Sequence, residues 1–231
     1  MRFLHPIAAH EKFVARGTYR LFSQDRDGMA ELYAHEHWTI HEVGQGGQFI
    51  RIDHAPLLGG VNELIEVFRS SKGEIERFDV RRWLTQRGAP KREASMSVMR
   101  EGQRALLMRR IDYGEHETLE VSLDDDTILL PRSMLLLADF TLHGMRRAKA
   151  FFLSAGVQLF SPLIETLVAQ YETDESLTVG KRDYQARRYW VRNEATEDEF
   201  RVWMDDHNIP LQAMRLPQAV PIAELFNYAH R

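Results

Sequence analysis

His35, His37 and His41 stand at odd positions of HEHWTIH, and odd positions of a strand share one face. His35 and His37 would then lie about 7 Å apart, close enough to chelate one metal. His54, on the next predicted strand, is the candidate third ligand. A working centre also needs partners that orient each imidazole, and no spacing in the chain supplies them. Solvent-facing histidines on a long strand are the plainer account, so no metal or other cofactor is expected.

A second constellation joins arginine to tryptophan in RYWVRNEATEDEFRVW, residues 188–203. If Glu194-Ala195-Thr196-Glu197 forms a hairpin loop, Asn193 faces Asp198 and the register follows. Arg192 then opposes Glu199, Trp190 opposes Arg201, and Arg188 opposes Trp203. The other face pairs Val191 with Phe200, Tyr189 with Val202, and Arg187 with Met204, and is apolar enough to be core. Cross-strand neighbours lie about 5 Å apart, and a one-residue slip would scramble both faces. A guanidinium on an exposed indole contributes roughly 0.5–1 kcal/mol. The crossed pairs therefore either shield aromatic surface or line a shelf for an amphiphilic or anionic ligand. Arg81 and Trp83 repeat the spacing, so Arg81, Trp83, Arg188, Trp190, Arg201 and Trp203 are the candidate ligand-binding residues.

Other chemistry is less specified. DDD (124–126) and DDHN (205–208) read as acidic turns, because Asp and Asn suit turn geometry. A calcium loop needs a longer series of oxygen ligands and a glycine bend. GQGG (44–47) does not lead into a helix, so it is not a phosphate-binding loop. No G-x-S-x-G elbow or H-E-x-x-H helix is present. No pair of carboxylates can be assigned acid and base roles without the strand order. Catalytic residues are therefore not assigned.

Composition bounds the remaining choices. The chain has 231 residues, 44% hydrophobic and 28% charged, and no cysteine, which excludes disulfides and thiolate chemistry. A net charge of −4 argues against nucleic acid as a partner. Arginine supplies 25 of the 30 basic residues; its planar fork suits carboxylate or phosphate, although a GC-rich genome gives the same bias. The start lacks the apolar stretch of a secretory signal, so the cytoplasm is the expected compartment, or the periplasm if a leader had been removed. No run of about 18 apolar residues is present, so no membrane-spanning helix is expected.

The elements that must hold these residues alternate with period two. Segments 17–22, 29–43, 47–55, 62–69, 74–84, 95–100, 103–112 and 116–123 read as strands with hairpin-length links. That order gives an antiparallel meander, since parallel strands need longer crossovers. Pro131 and Gly144 bracket a short helix over 133–143, MLLLADF lying within it, and PIAELFNYAHR reads as a closing helix. DVRRWL (79–84) echoes QARRYWV (185–191), each following an LIE tripeptide. The expected fold is mainly β: one domain over 1–231, curved into a roll or open barrel, with two related half-sheets near 1–125 and 145–231 if the echo is real. Large sheets curl to protect their edges.

The stretch 177–216 resembles the closing part of bacterial β-rich families, with Trp203-Met204-Asp205 followed by Pro210-Leu211. It is similar in style to Lol-type lipoprotein-carrier half-barrels and to glycolipid-binding families. The resemblance implies a curved antiparallel sheet partly wrapped around a helix, with a concave face able to take an acyl chain. It implies no catalytic residue. Three functions follow as alternatives: a non-enzymatic binder or carrier of an amphiphile, a hydrolase or isomerase using histidine and carboxylate at the roll mouth, and an interaction module.

Overall fold

Alternating side chains with glycine-marked turns build one continuous sheet. The computed structural model describes residues 1–24, 29–57, 59–85, 92–112, 114–137, 139, 147–154 and 160–231. Within them run β1 (Lys12–Gln24), β2 (Ala30–Val43), β3 (Gly47–Pro56), β4 (Gly60–Arg69), β5 (Ile75–Thr85), β6 (Glu93–Glu101), β7 (Arg104–Ile111) and β8 (Glu117–Ser122). Then come β9 (Thr127–Leu129), β10 (Arg147–Leu153), β11 (Pro162–Val179), β12 (Arg182–Asn193), β13 (Glu199–Met204), β14 (Pro210–Arg215) and β15 (Val220–His230). Gly102 and Gly180 take positive φ at the tips between β6 and β7 and between β11 and β12, where a side chain would strain the turn.

The strands order as β8-β7-β6-β5-β4-β3-β2-β1-β15-β14-β13-β12-β11-β10-β9. Successive strands pair with each other except β8 and β9, which form the two edges, and the two ends of the chain meet in mid-sheet, where β1 lies antiparallel to β15 from Ala15↔His230 to Leu21↔Ala223. The sheet curls far enough for the Arg100 guanidinium on β6 to donate to the Thr127 carbonyl on β9, at the opposite edge. The expected open, mostly antiparallel roll is what forms.

Facing inward are Tyr19, Trp38, Ile50, Ile52, Phe78 and Leu107, each almost wholly buried. Trp38 stacks on Tyr19 with ring centroids 6.0 Å apart. It occupies the space above Gly17, where an added Cβ would meet the indole at 2.4 Å. The barrel wall therefore closes over an indole only because position 17 has no side chain.

Two expectations about helices need correction. PIAELFNYAHR is strand, not helix. Ladders with β1 and β14 fill both of its edges, and Ala223 and Leu225 alternate into the core. Tertiary pairing overrides the helix-forming Ala-Glu-Leu run. The helix over 133–143 is also not supported. Residues 134–137 form turns, with Leu137 N–H donating to Met134 and Asp139 N–H donating to Leu136; Asp139 is helical, and 138 and 140–143 lie outside the described residues. The location is as expected: Met134, Leu135 and Leu136 are buried in the apolar core. The pairing of β9 with β10 is parallel, unlike the antiparallel pairs around it.

Candidate functional site

An ionisable residue interrupts the inward apolar register on four successive strands. On β2 the inward series is Ala34, Glu36, Trp38, Ile40; on β3 it is Ile50, Ile52, His54. On β4 it is Val61, Glu63, Ile65, Val67, and on β5 Phe78, Val80, Arg82. The registers Tyr19↔Glu36, Glu36↔His54, His54↔Glu63 and Glu63↔Arg82 align these interruptions into a transverse row across five strands. Residues opposite each other in antiparallel strands point to the same side, about 5 Å apart.

Burial and pairing set the charge state along the row. Glu36 is 1% exposed, and desolvation pushes its carboxyl up to about 7, despite three hydrogen bonds that favour the charged form. Those bonds come from the Ser133 hydroxyl at 2.8 Å, Met134 N–H at 3.1 Å and Leu135 N–H at 3.2 Å. Glu36 thus anchors segment 133–135 to the barrel wall. Glu63 is also raised by burial, against the pull of Arg82, whose guanidinium donates to it and to the Ser154 carbonyl. Burial lowers His54, so its imidazole is neutral near pH 7. Tyr33 is raised by burial and by Glu36, and keeps its hydroxyl proton.

The row opens into a cavity of about 720 Å³. Leu21, Met134, Phe152, Leu167, Phe200 and Ile222 supply its apolar wall, while Tyr33, Glu36, His54, Glu63, Arg82 and Arg132 line the polar side. Gly59 and Gly60 at the start of β4, and Thr196 and Asp198 between β12 and β13, also line it. An apolar chamber with convergent polar groups of displaced proton affinity has the composition of a ligand site. A second depression, about 670 Å³, lies beside Asp205, Asp206, His207, Tyr228 and His230, where the two imidazoles stack at 4.3 Å. Asp205 caps the turn below it by accepting from His207 N–H and Ile209 N–H. The acidic turn at 205–208 is therefore a turn, as read from its residue types.

The register expected for the β12–β13 hairpin is the observed one, pair for pair from Arg187↔Met204 to Arg192↔Glu199. Val191, Val202 and Met204 are buried, as the apolar face requires. The Arg–Trp face lies on the opposite side of the sheet, and of its residues only Glu199, at the hairpin end, lines the cavity; Arg188, Trp190, Arg201 and Trp203 do not. Carboxylates rather than indoles hold its guanidiniums. Glu172 accepts from Arg188 Nε at 2.7 Å and from Arg201 Nε at 2.8 Å, and Glu175 accepts from Arg188 Nη1 at 2.9 Å. Trp203 is 8% exposed and donates to Glu175, and Trp190 donates to Glu199 at 3.4 Å. On β5, Arg81 pairs with Glu93 at 2.7 Å, and the guanidinium over Trp83 is that of Arg2, 4.6 Å from the ring centroid.

The histidines divide between the faces. His37 opposes Asp53 and His35 opposes Ala55, on the outward face, where their rings stack at 6.0 Å. His54 opposes Glu36, on the inward face, so the three do not converge. Among the described residues no group of three or more histidines and carboxylates is placed to hold a metal ion. The outward face of β3 and β4 is roofed by the N-terminal segment instead. Asp53 accepts from Arg2 N–H at 2.7 Å, Glu66 from Leu4 and His5 N–H, and Glu11 receives two bonds from Arg51.

Sequence reasoning missed Glu36, Glu63 and Arg82. The available signal was their parity: each is a charge in phase with apolar neighbours two residues away. Among the described residues, no helix is long and apolar enough to cross a membrane. No family model matches the chain, and no curated protein matches it in sequence. A crystal structure of a β-barrel-like protein of a domain of unknown function, DUF1849, from Brucella abortus is similar in fold, with a TM-score of 0.60 at 10% identity, covering 96% of this chain and 100% of that one. At that identity the likeness is one of architecture: both chains are β-barrel-like.

Proposed function

We propose that the protein is a non-enzymatic binder or carrier of a lipid-like, amphiphilic molecule, a glycolipid being one such ligand, held inside the barrel. The observation that carries this reading is the 720 Å³ chamber in which an apolar wall meets the ionisable row. Small-molecule pockets span roughly 300–1,000 Å³ and combine apolar lining with a few polar groups. The resemblance of 177–216 to carrier half-barrels supports the same conclusion. Native mass spectrometry after mild purification, followed by solvent extraction, tests it. A co-purifying amphiphile, released as the chain unfolds, is the expected result; a homogeneous apo mass that takes up no added amphiphile contradicts it.

A second reading is a hydrolase or isomerase, favoured by His54 sharing one cavity with Glu36 and Glu63. A neutral imidazole beside carboxyls of raised proton affinity is acid–base equipment. It ranks second because both Glu36 oxygens already accept bonds from segment 133–135, and Glu63 is tied to Arg82. An extracted ligand that is chemically altered by the native chain, but not by His54→Gln, would reverse the ranking.

A further inference from the structure

The polar groups of the cavity divide into those with partners and those without. Glu36 is satisfied by segment 133–135, Glu63 by Arg82, and Glu165 by the Asn193 amide at 2.7 Å. Arg132, His54 and Tyr33 have no side-chain hydrogen bond or ion pair among the described residues, yet each lines the chamber. A cation and two neutral hydrogen-bond donors with no protein acceptor are the inventory of an oxyanion site.

Their positions fit one head group. The rings of Tyr33 and His54 lie 6.1 Å apart. Ser133 is bound to Glu36, the strand neighbour of His54, so the adjacent Arg132 is carried to the same pole. The Arg132 guanidinium lies 5.4 Å from the centroid of Phe152, which belongs to the apolar wall. Its charge reaches Glu63, lowering that group's proton affinity against the effect of burial. Head and tail surfaces therefore meet at Arg132.

We propose that Arg132, His54 and Tyr33 form the head-group pole of the cavity, and that the bound molecule is a single-chain amphiphile ending in a carboxylate or phosphate. This rests on the cavity being the binding site. The guanidinium neutralises the head, while the imidazole and phenol each donate one hydrogen bond. The tail runs along Met134, Phe152 and Leu167. The convex Arg–Trp face has no part in it, because its guanidiniums already hold Glu172 and Glu175.

Calorimetric titration of the full chain with dodecanoate, dodecyl phosphate, dodecanol and dodecyltrimethylammonium, each below its micelle concentration, tests the assignment. At least one anion is expected to bind tenfold or more tightly than dodecanol, with the cation weakest; the tighter anion identifies the head. Arg132→Met should abolish that preference and leave dodecanol within twofold, while Arg132→Lys retains part of it. Equal binding of anion and alcohol, a preference for the cation, or a preference that survives Arg132→Met overturns the head-group pole with the cavity reading intact. Failure of all four to bind the folded chain overturns both.

Discussion

Glu36 and His54 stand opposite each other on β2 and β3, inside the barrel, while His35 and His37 on either side of Glu36 point outward. One residue of parity thus separates a buried acid from two half-buried bases on the outward face of the same strand. The chemistry of the interior follows from which parity carries the apolar side chains.

Burying Glu36 has a measurable cost. Its carboxyl is held at about 7 in the fold against 4.5 when free, so the folded state binds the extra proton between those values. Stability contributed by this group is therefore full below about pH 4.5 and falls as pH rises through 7. At ~1.36 kcal/mol per tenfold in proton affinity, the loss is about 3 kcal/mol. Urea unfolding between pH 5 and 8 should show this decline in the native chain and a flatter profile in Glu36→Gln. Equal slopes in the two would remove Glu36 as its source.

Glu11 acts in the opposite sense. The Arg51 guanidinium holds its carboxyl down to about 2. Its contribution is present above about pH 4.5 and is lost as pH falls toward 2. Hydrogen exchange should show the Ala8 N–H, which donates to Glu11 at 2.9 Å, losing protection on acidification before the core of β1 and β2 does. Glu11→Gln should produce the same loosening at pH 7.

Gly17→Ala is expected to destabilise by roughly 1–3 kcal/mol, since a methyl there must displace the Trp38 indole or the Asn227 carbonyl, 2.4 and 2.8 Å from its position. Thermal unfolding followed by near-ultraviolet dichroism measures it. An unchanged midpoint would mean that the two strands shift to make room.

The Arg–Trp hairpin was legible in the sequence because two patterns agree only in one register: Val191, Val202 and Met204 fall on one face when Arg188 meets Trp203. What those guanidiniums hold was not legible, because Glu172 and Glu175 come from β11, across a bulge between Tyr171 and Thr173. The ionisable row was hidden for the same reason, since its alignment depends on four separate strand registers. The C-terminal segment misled because Ala-Glu-Leu favours a helix locally, whereas the open edges of β1 and β14 need a strand between them.

Glu172→Gln should cost at most about 1 kcal/mol, because Glu172, Arg188 and Arg201 are all partly exposed to solvent. Trp190→Ala with Arg201→Ala should leave dodecanol affinity within twofold. A larger loss in calorimetric titration would show that the convex face also takes ligand.

A ligand held in the interior should bind with an affinity that depends on its chain length. For straight alcohols from octanol to dodecanol, affinity should rise roughly fourfold per added methylene, at ~0.8 kcal/mol each. The rise should collapse in Val61→Trp, which places an indole in the chamber that Val61 lines. Affinity that ignores chain length, or that survives the indole unchanged in a folded variant, contradicts a ligand inside the barrel.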